Sequence, residues 1–136
     1  MSWDIFVQDL PPGIKSTDQI PDGFKPRPLG SRVEIIQRLR DVAPDLIFNG
    51  PSLGNIKTSN YEIEISMSDG DPISSFAFHL YGGDEGARRV GEILSKMRLH
   101  ALAPGAEGGI FDPQHPEVGL RKHRDYVDRV LKKKSE

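Results

Sequence analysis

The sequence contains no cysteine, which excludes disulfide bonds, thiol nucleophiles and cysteine-ligated metal sites. It also has no apolar run long enough to cross a membrane. Its first residues, Met-Ser-Trp-Asp-Ile, lack the basic and apolar regions of a secretory signal. We therefore expect a cytoplasmic protein of bacterial type that does not act at a membrane.

Motifs that bind cofactors or carry catalysis are also absent. The four histidines show none of the spacings typical of zinc ligands. The run Gly82-Gly83-Asp84 lacks both GxGxxG and the GK[ST] ending of a P-loop, and its acidic residue would repel a phosphate. There is no GxSxG and no other serine–histidine motif. The sequence therefore predicts no cofactor, no metal and no enzymatic activity by this chain alone.

The charges are distributed unevenly along the 136 residues. Residues 1–118 hold 11 Lys/Arg and 17 Asp/Glu, a net charge of 11 − 17 = −6. Residues 119–136 hold 7 Lys/Arg and 3 Asp/Glu, a net charge of 7 − 3 = +4. We predict one acidic domain at 1–118 and a basic C-terminal tail or helix at 119–136. A single basic tail on an acidic body is a poor footprint for nucleic acid, so no nucleic-acid partner is predicted.

Period-two alternation predicts the strands. Ser75 to Tyr81 is largely apolar on both faces, which is typical of a central strand. Tyr61 to Met67 alternates strictly between apolar and polar residues, which indicates a strand with one exposed face, and the turn residues 69–72 join the two as a hairpin. Residues 2–9, residues 53–58 and the short run Ile110-Phe111 are the other strand candidates.

Two helices are predicted with definite start signals. Ser31 and Glu34 form a capping box before a helix near 31–42, and Asp84 is the expected N-cap of a helix near 84–99. Residues 117–133 carry a weaker helical stripe, compatible with a third helix. The sequence thus predicts an α+β fold in the order β-α-β-β-β-α-β, with a mainly antiparallel sheet of four to five strands and two helices on one face.

Four residues are candidates for a functional site. Glu62 and Glu64 are consecutive outward residues of one strand and indicate an acidic partner-binding surface. His79 and Tyr81 share a face of the central strand, where a histidine paired with Glu62 or Glu64 would serve as a general base in a ligand pocket. A structural histidine that is hydrogen-bonded at the sheet is the alternative for His79.

The runs Met-Ser-Trp-Asp-Ile-Phe-Val-Gln-Asp-Leu-Pro and Ile-Pro-Asp-Gly-Phe-Lys-Pro-Arg-Pro-Leu-Gly resemble a small, uncharacterised bacterial protein family, as does Gly-Gly-Ile-Phe-Asp-Pro near the end of the domain. The layout of residues 61–112 is similar to that of immunity proteins from bacterial polymorphic toxin systems. That resemblance implies a basic toxin as partner and supplies no active-site residues. We expect a non-catalytic protein-binding module, with a small-ligand-binding protein or enzyme as the alternative; the sequence leaves the oligomeric state open.

Overall fold

A computed structural model describes residues 2–135, which form one open antiparallel sheet with three α-helices. The predicted α+β class is therefore confirmed. The strands are β1 (Trp3–Gln8), β2 (Ile47–Phe48), β3 (Leu53–Lys57), β4 (Tyr61–Met67), β5 (Ser75–Gly82) and β6 (Ala101–Leu102). The helices are α1 (Arg32–Val42), α2 (Asp84–Met97) and α3 (Pro116–Ser135).

The sheet has six strands in the order β2-β3-β4-β5-β1-β6, so the predicted count of four to five is wrong. β5 lies between β4 and β1, which confirms it as a central strand. Both additional strands are only two residues long, and so short a segment shows no alternation of its own. β2 forms because Ile47 and Phe48 pair antiparallel with Asn55 and Gly54 of β3.

The return strand was predicted at the wrong residues. Ala101 and Leu102 pair with β1 as β6, whereas Ile110 makes only an isolated bridge to Leu102. Apolar character alone did not distinguish these two runs, because both lie in the same loop-rich segment between α2 and α3. The pairing of β1 with residues distant in sequence decides between them.

One face of the sheet is covered and the other is open. Ile5 of β1, Ile63 of β4 and Phe78 of β5 are fully buried in a single core with residues of α1 and α2. Their strand neighbours point the opposite way, since successive side chains alternate between faces. The side chains of the open face are exposed or partly exposed, apart from Ala77.

Glycine 86 sets how closely α2 approaches the sheet. A Cβ at this position would overlap Leu80 Cδ1 and lie 3.1 Å from Tyr61 Cβ. Gly91, on another side of α2, instead faces Pro113 and Pro116, where the chain leads into α3. Two glycines therefore pack α2 against different neighbours.

Asp84 is not the N-cap of α2. The cap is Gly83, which makes no side-chain hydrogen bond, and Asp84 is the first residue of the helix. Its carboxylate instead accepts a hydrogen bond from Arg121 of α3 at 2.9 Å. The acidic start of α2 is thus used in attaching the third helix.

Helix α3 begins at Pro116 and its first turns lie against the domain. Leu120 is 2% exposed and belongs to the core, and a Cβ added at Gly119 would lie 3.0 Å from the Trp3 ring. Arg124 donates to the carbonyl of Gly82 at 2.7 Å. The proposed domain boundary after residue 118 therefore lies within a continuous helix. Within residues 2–135 no helix combines the length and apolarity that a membrane span needs.

Candidate functional site

The candidate site is the open face of the sheet, where side chains from neighbouring strands form transverse rows. Strand pairing aligns Asp4 of β1, His79 of β5, Glu64 of β4 and Asn55 of β3 in one row. The adjacent row contains Phe6, Ala77, Ser66 and Leu53. The two rows bring together residues that are up to 75 positions apart in the sequence.

His79 is held at both ring nitrogens. Its Nδ1 lies 2.8 Å from Asp4 Oδ1, and its Nε2 lies 2.8 Å from Ser66 Oγ. An ionised carboxylate can only accept a hydrogen bond, so Nδ1 carries the proton and donates it to Asp4. In the neutral ring Nε2 is then an acceptor for the hydroxyl proton of Ser66. Ser66, His79 and Asp4 thus form a directed hydrogen-bond chain across three strands.

Asp4 is stabilised in its charged form. Burial raises the pKa of its carboxyl group, but hydrogen bonds from His79 and Ser2 and the nearby charge of His79 outweigh burial and lower the pKa below its usual range. The Ser2 hydroxyl donates to the same oxygen, Oδ1, at 2.7 Å. Asp4 therefore stays ionised and keeps the ring of His79 in one orientation.

The four predicted site residues all lie on this face, but they do not form one cluster. Glu64 is directly opposite His79 in the β4–β5 pair, as the hairpin suggested, yet the carboxylate that bonds to His79 is that of Asp4. Glu62 lies opposite Tyr81 and accepts a hydrogen bond from Asn55 Nδ2 at 2.9 Å. Glu62 and Tyr81 therefore occupy the row beside the histidine rather than contacting it.

Two shallow cavities flank Ser66. One, of about 480 Å³, is lined by polar and apolar residues that include Asn49, Leu53, Asn55, Glu64 and His79. The other, of about 360 Å³, lies on the opposite side and includes Phe6 and Leu102. Ser66 lines both cavities.

Sequence reasoning missed Ser66 and Asp4. Ser66 and His79 both point outward from a hairpin, so the alternation pattern contained a signal for their proximity once the register of that hairpin is known. Asp4 gave no such signal. Its strand reaches β5 only through a pairing between residues more than 70 positions apart.

A larger cavity, of about 630 Å³, lies away from the open face, where α3 meets the preceding loops. Its apolar wall includes Trp3, Phe111 and Val118, and its rim includes Lys15 and Glu107. Glu107 is 3.5 Å from Lys122, and the Trp3 indole nitrogen donates to the carbonyl of Pro104. Glu107 and the Trp3 indole therefore have partners within the chain, and the lining of this cavity defines no ligand class.

Within residues 2–135, no group of three or more histidine or acidic side chains is arranged to hold a metal ion. No protein-family model, curated protein or solved structure is significantly similar to this chain.

Proposed function

We propose that the protein binds a basic protein partner through the open face of its sheet. The observation that carries this proposal is the set of large apolar side chains on that face. Four of them are 39–62% exposed, although each stands on a regular strand of the sheet: Phe6, Ile47, Leu53 and Tyr81. Several large apolar side chains exposed on one face of a folded domain are typical of an interaction site.

The charge on this face favours a cationic partner. Its strands present the carboxylates of Asp4, Glu62 and Glu64 and a single ammonium group, that of Lys57, a balance of 1 − 3 = −2 with histidine neutral. Acidic groups around apolar contacts speed association with a basic protein and disfavour acidic competitors. A toxin-neutralising role, as in immunity proteins, is the form of this proposal that agrees with the sequence resemblance.

The test is capture with matched charge reversals. The wild-type chain is immobilised and exposed to a lysate of its source cell, beside Glu62→Lys/Glu64→Lys and a control, Asp22→Lys/Asp128→Lys, whose residues are exposed outside the sheet. The comparison is valid only if the circular dichroism spectra of the three proteins agree, which shows that both variants are folded like the wild type. We expect a basic protein to be retained by the wild type and the control, and lost from the face variant and at high salt.

Hydrogen exchange on the purified complex then locates the contact. Protection of β4 and of its open-face neighbours would support the proposal. A partner that binds the face variant as tightly as the wild type, or protects only α3, would refute it.

A second candidate function is a ligand pocket or enzyme site at His79. The observation in its favour is the chain from Ser66 through His79 to Asp4 beside a cavity of about 480 Å³. A thermal-shift screen with metabolites separates the two functions, because a ligand shift that disappears in His79→Ala is not expected of a surface used only by proteins.

A further inference from the structure

The open face contains the atoms of a nucleophile–base–carboxylate relay. Ser66 Oγ and His79 Nε2 are 2.8 Å apart, and His79 Nδ1 and Asp4 Oδ1 are also 2.8 Å apart. In serine hydrolases the same two ring nitrogens make these same two contacts, one to the nucleophile and one to the orienting carboxylate. The order of atoms matters, because a serine bonded to Nδ1 would leave the carboxylate on the wrong side of the ring.

We propose that Ser66 is the nucleophile of an acyl-transfer site in which His79 is the general base and Asp4 orients the imidazole. The substrate class is a small ester. This goes beyond the proposed protein-binding function and does not depend on it, since the reaction needs only the isolated chain, the ester and water.

The reaction balances with these groups. Ser66 Oγ attacks the ester carbonyl carbon while its proton passes to His79 Nε2, so an O–C bond forms and the carbonyl electrons move to oxygen. Collapse of this tetrahedral adduct expels the alcohol, which takes the proton from His79. Water then repeats the sequence on the acyl-serine: its proton goes to His79, its oxygen bonds to the acyl carbon, and Ser66 leaves with the returned proton.

The surroundings of Ser66 suit a small uncharged or cationic ester. Asn49 and Asn55 line the cavity that contains Ser66, and each side-chain amide has two N–H donors, one of which Asn55 uses on Glu62. Amide N–H groups are donors of the kind that stabilise the oxyanion of such an adduct. Leu53 provides an apolar wall for an acyl or alkyl group, whereas Glu64 disfavours an anionic substrate. His79 has a side chain 26% exposed and Asp4 one 41% exposed, so water reaches the relay for the deacylation step.

Covalent labelling tests the nucleophile directly. An uncharged alkyl fluorophosphonate is incubated with the whole chain; attack by Ser66 forms an O–P bond, breaks the P–F bond and releases fluoride, with the serine proton passing to His79. We expect one adduct per chain by intact mass, located at Ser66 by peptide sequencing. The matched control is Ser75→Ala, a serine of β5 that has no described contact with His79, and it should label as the wild type does.

Hydrolysis of p-nitrophenyl butyrate tests the base. We expect His79→Ala to lower the rate about 10²–10⁴-fold, which is the usual contribution of a general base. Added imidazole should restore part of that rate, which no purely structural role of His79 would explain. In Asp4→Asn the amide favours the wrong tautomer of the ring, so the rate should fall at least about tenfold.

Labelling of the wild type spread over several serines, or equal labelling of His79→Ala and the wild type, would overturn the proposal. The first of these results is measured on the wild-type protein. The proposal can therefore be overturned even if a variant fails to fold. Selective labelling of Ser66 would not show whether the protein binds a partner. Failure to capture a protein partner would likewise not bear on the acyl-transfer site.

Discussion

His123 of α3 stacks on Trp3 of β1, with ring centroids 6.2 Å apart and 28° between the ring planes. Gly119 also lies close to this indole ring, since a Cβ added at Gly119 would be 3.0 Å from it. The third helix is thus packed onto the first strand through aromatic contact. Among residues 116–133, the buried ones, Pro116 and Leu120, lie in its first two turns.

That packing changes what removal of the C-terminal residues should do. A basic tail that did not pack on the domain could be removed without loss of the fold, whereas deletion of residues 119–136 would remove Leu120 and His123 and expose Trp3. We expect Leu120→Ala to lower the free energy of unfolding by about 2–4 kcal/mol, the cost of truncating a fully buried leucine. Urea denaturation measures this. Val118→Ala, at a position 43% exposed on the same helix, should cost less than about 1 kcal/mol.

Gly86→Ala should destabilise the protein even though alanine is the better helix former. Alanine adds about 1 kcal/mol of helix propensity, but its methyl group would overlap Leu80 and crowd Tyr61, and overpacking costs about 1–3 kcal/mol. We expect a net loss of about 1 kcal/mol in thermal or urea unfolding. Ser95→Ala, at an exposed position of the same helix, is the control and should leave stability unchanged or slightly higher. A stabilising Gly86→Ala would show that α2 can move away from the sheet freely.

The contact between Asp45 and Arg89 should make stability depend on pH. Hydrogen bonding from Arg89 at 2.6 Å, together with its charge, lowers the pKa of Asp45 against the opposing effect of burial. A carboxyl group with a lowered folded-state pKa stabilises the fold above its unfolded pKa, near 3.9, and this stabilisation is lost as pH falls through the folded pKa.

We therefore expect Asp45→Asn to be less stable than the wild type at pH 7, by less than about 1 kcal/mol because the pair is partly exposed. The difference should shrink towards zero at about pH 2, where both proteins carry a neutral side chain. Urea denaturation at the two pH values measures it. An undiminished difference at low pH would mean that the carboxylate charge is not what stabilises this contact.

Arg32 should stabilise two loops from one position at the start of α1. Its guanidinium donates to the carbonyls of Pro51, Ser68 and Gly70, and its backbone N–H donates to Asp71 at 3.0 Å. We expect Arg32→Ala to speed amide exchange at 50–53 and 68–72 and to cost about 1–2 kcal/mol of global stability. Arg32→Lys should recover only part of this, because an ammonium group cannot reproduce the planar fork. Unchanged exchange in both segments would contradict this role.

The sequence predicted the regular parts of the fold better than the site. Helix bounds near 31–42 and 84–99 agree with α1 and α2 to within about two residues, because the Ser31 cap of α1 and the helical periodicity of both segments are local signals. The hairpin of β4 and β5 was also readable from alternation and a turn. What could not be read was the position of β1 beside β5, and that pairing alone brings Asp4 to His79. A local sequence pattern does not predict the geometry of a site that depends on pairing between strands so far apart in the sequence.

The brevity of the two outermost strands has a consequence for how this molecule can associate. β2 and β6 are each two residues long, so neither is long enough to pair with a strand from another chain. Short edges are a common protection against fibril-like stacking and strand exchange between copies. They also disfavour recognition by strand addition, the mode in which an extended peptide lengthens a sheet. Any ordered association with a partner should therefore depend on side-chain contacts, and its affinity should be correspondingly sensitive to single substitutions.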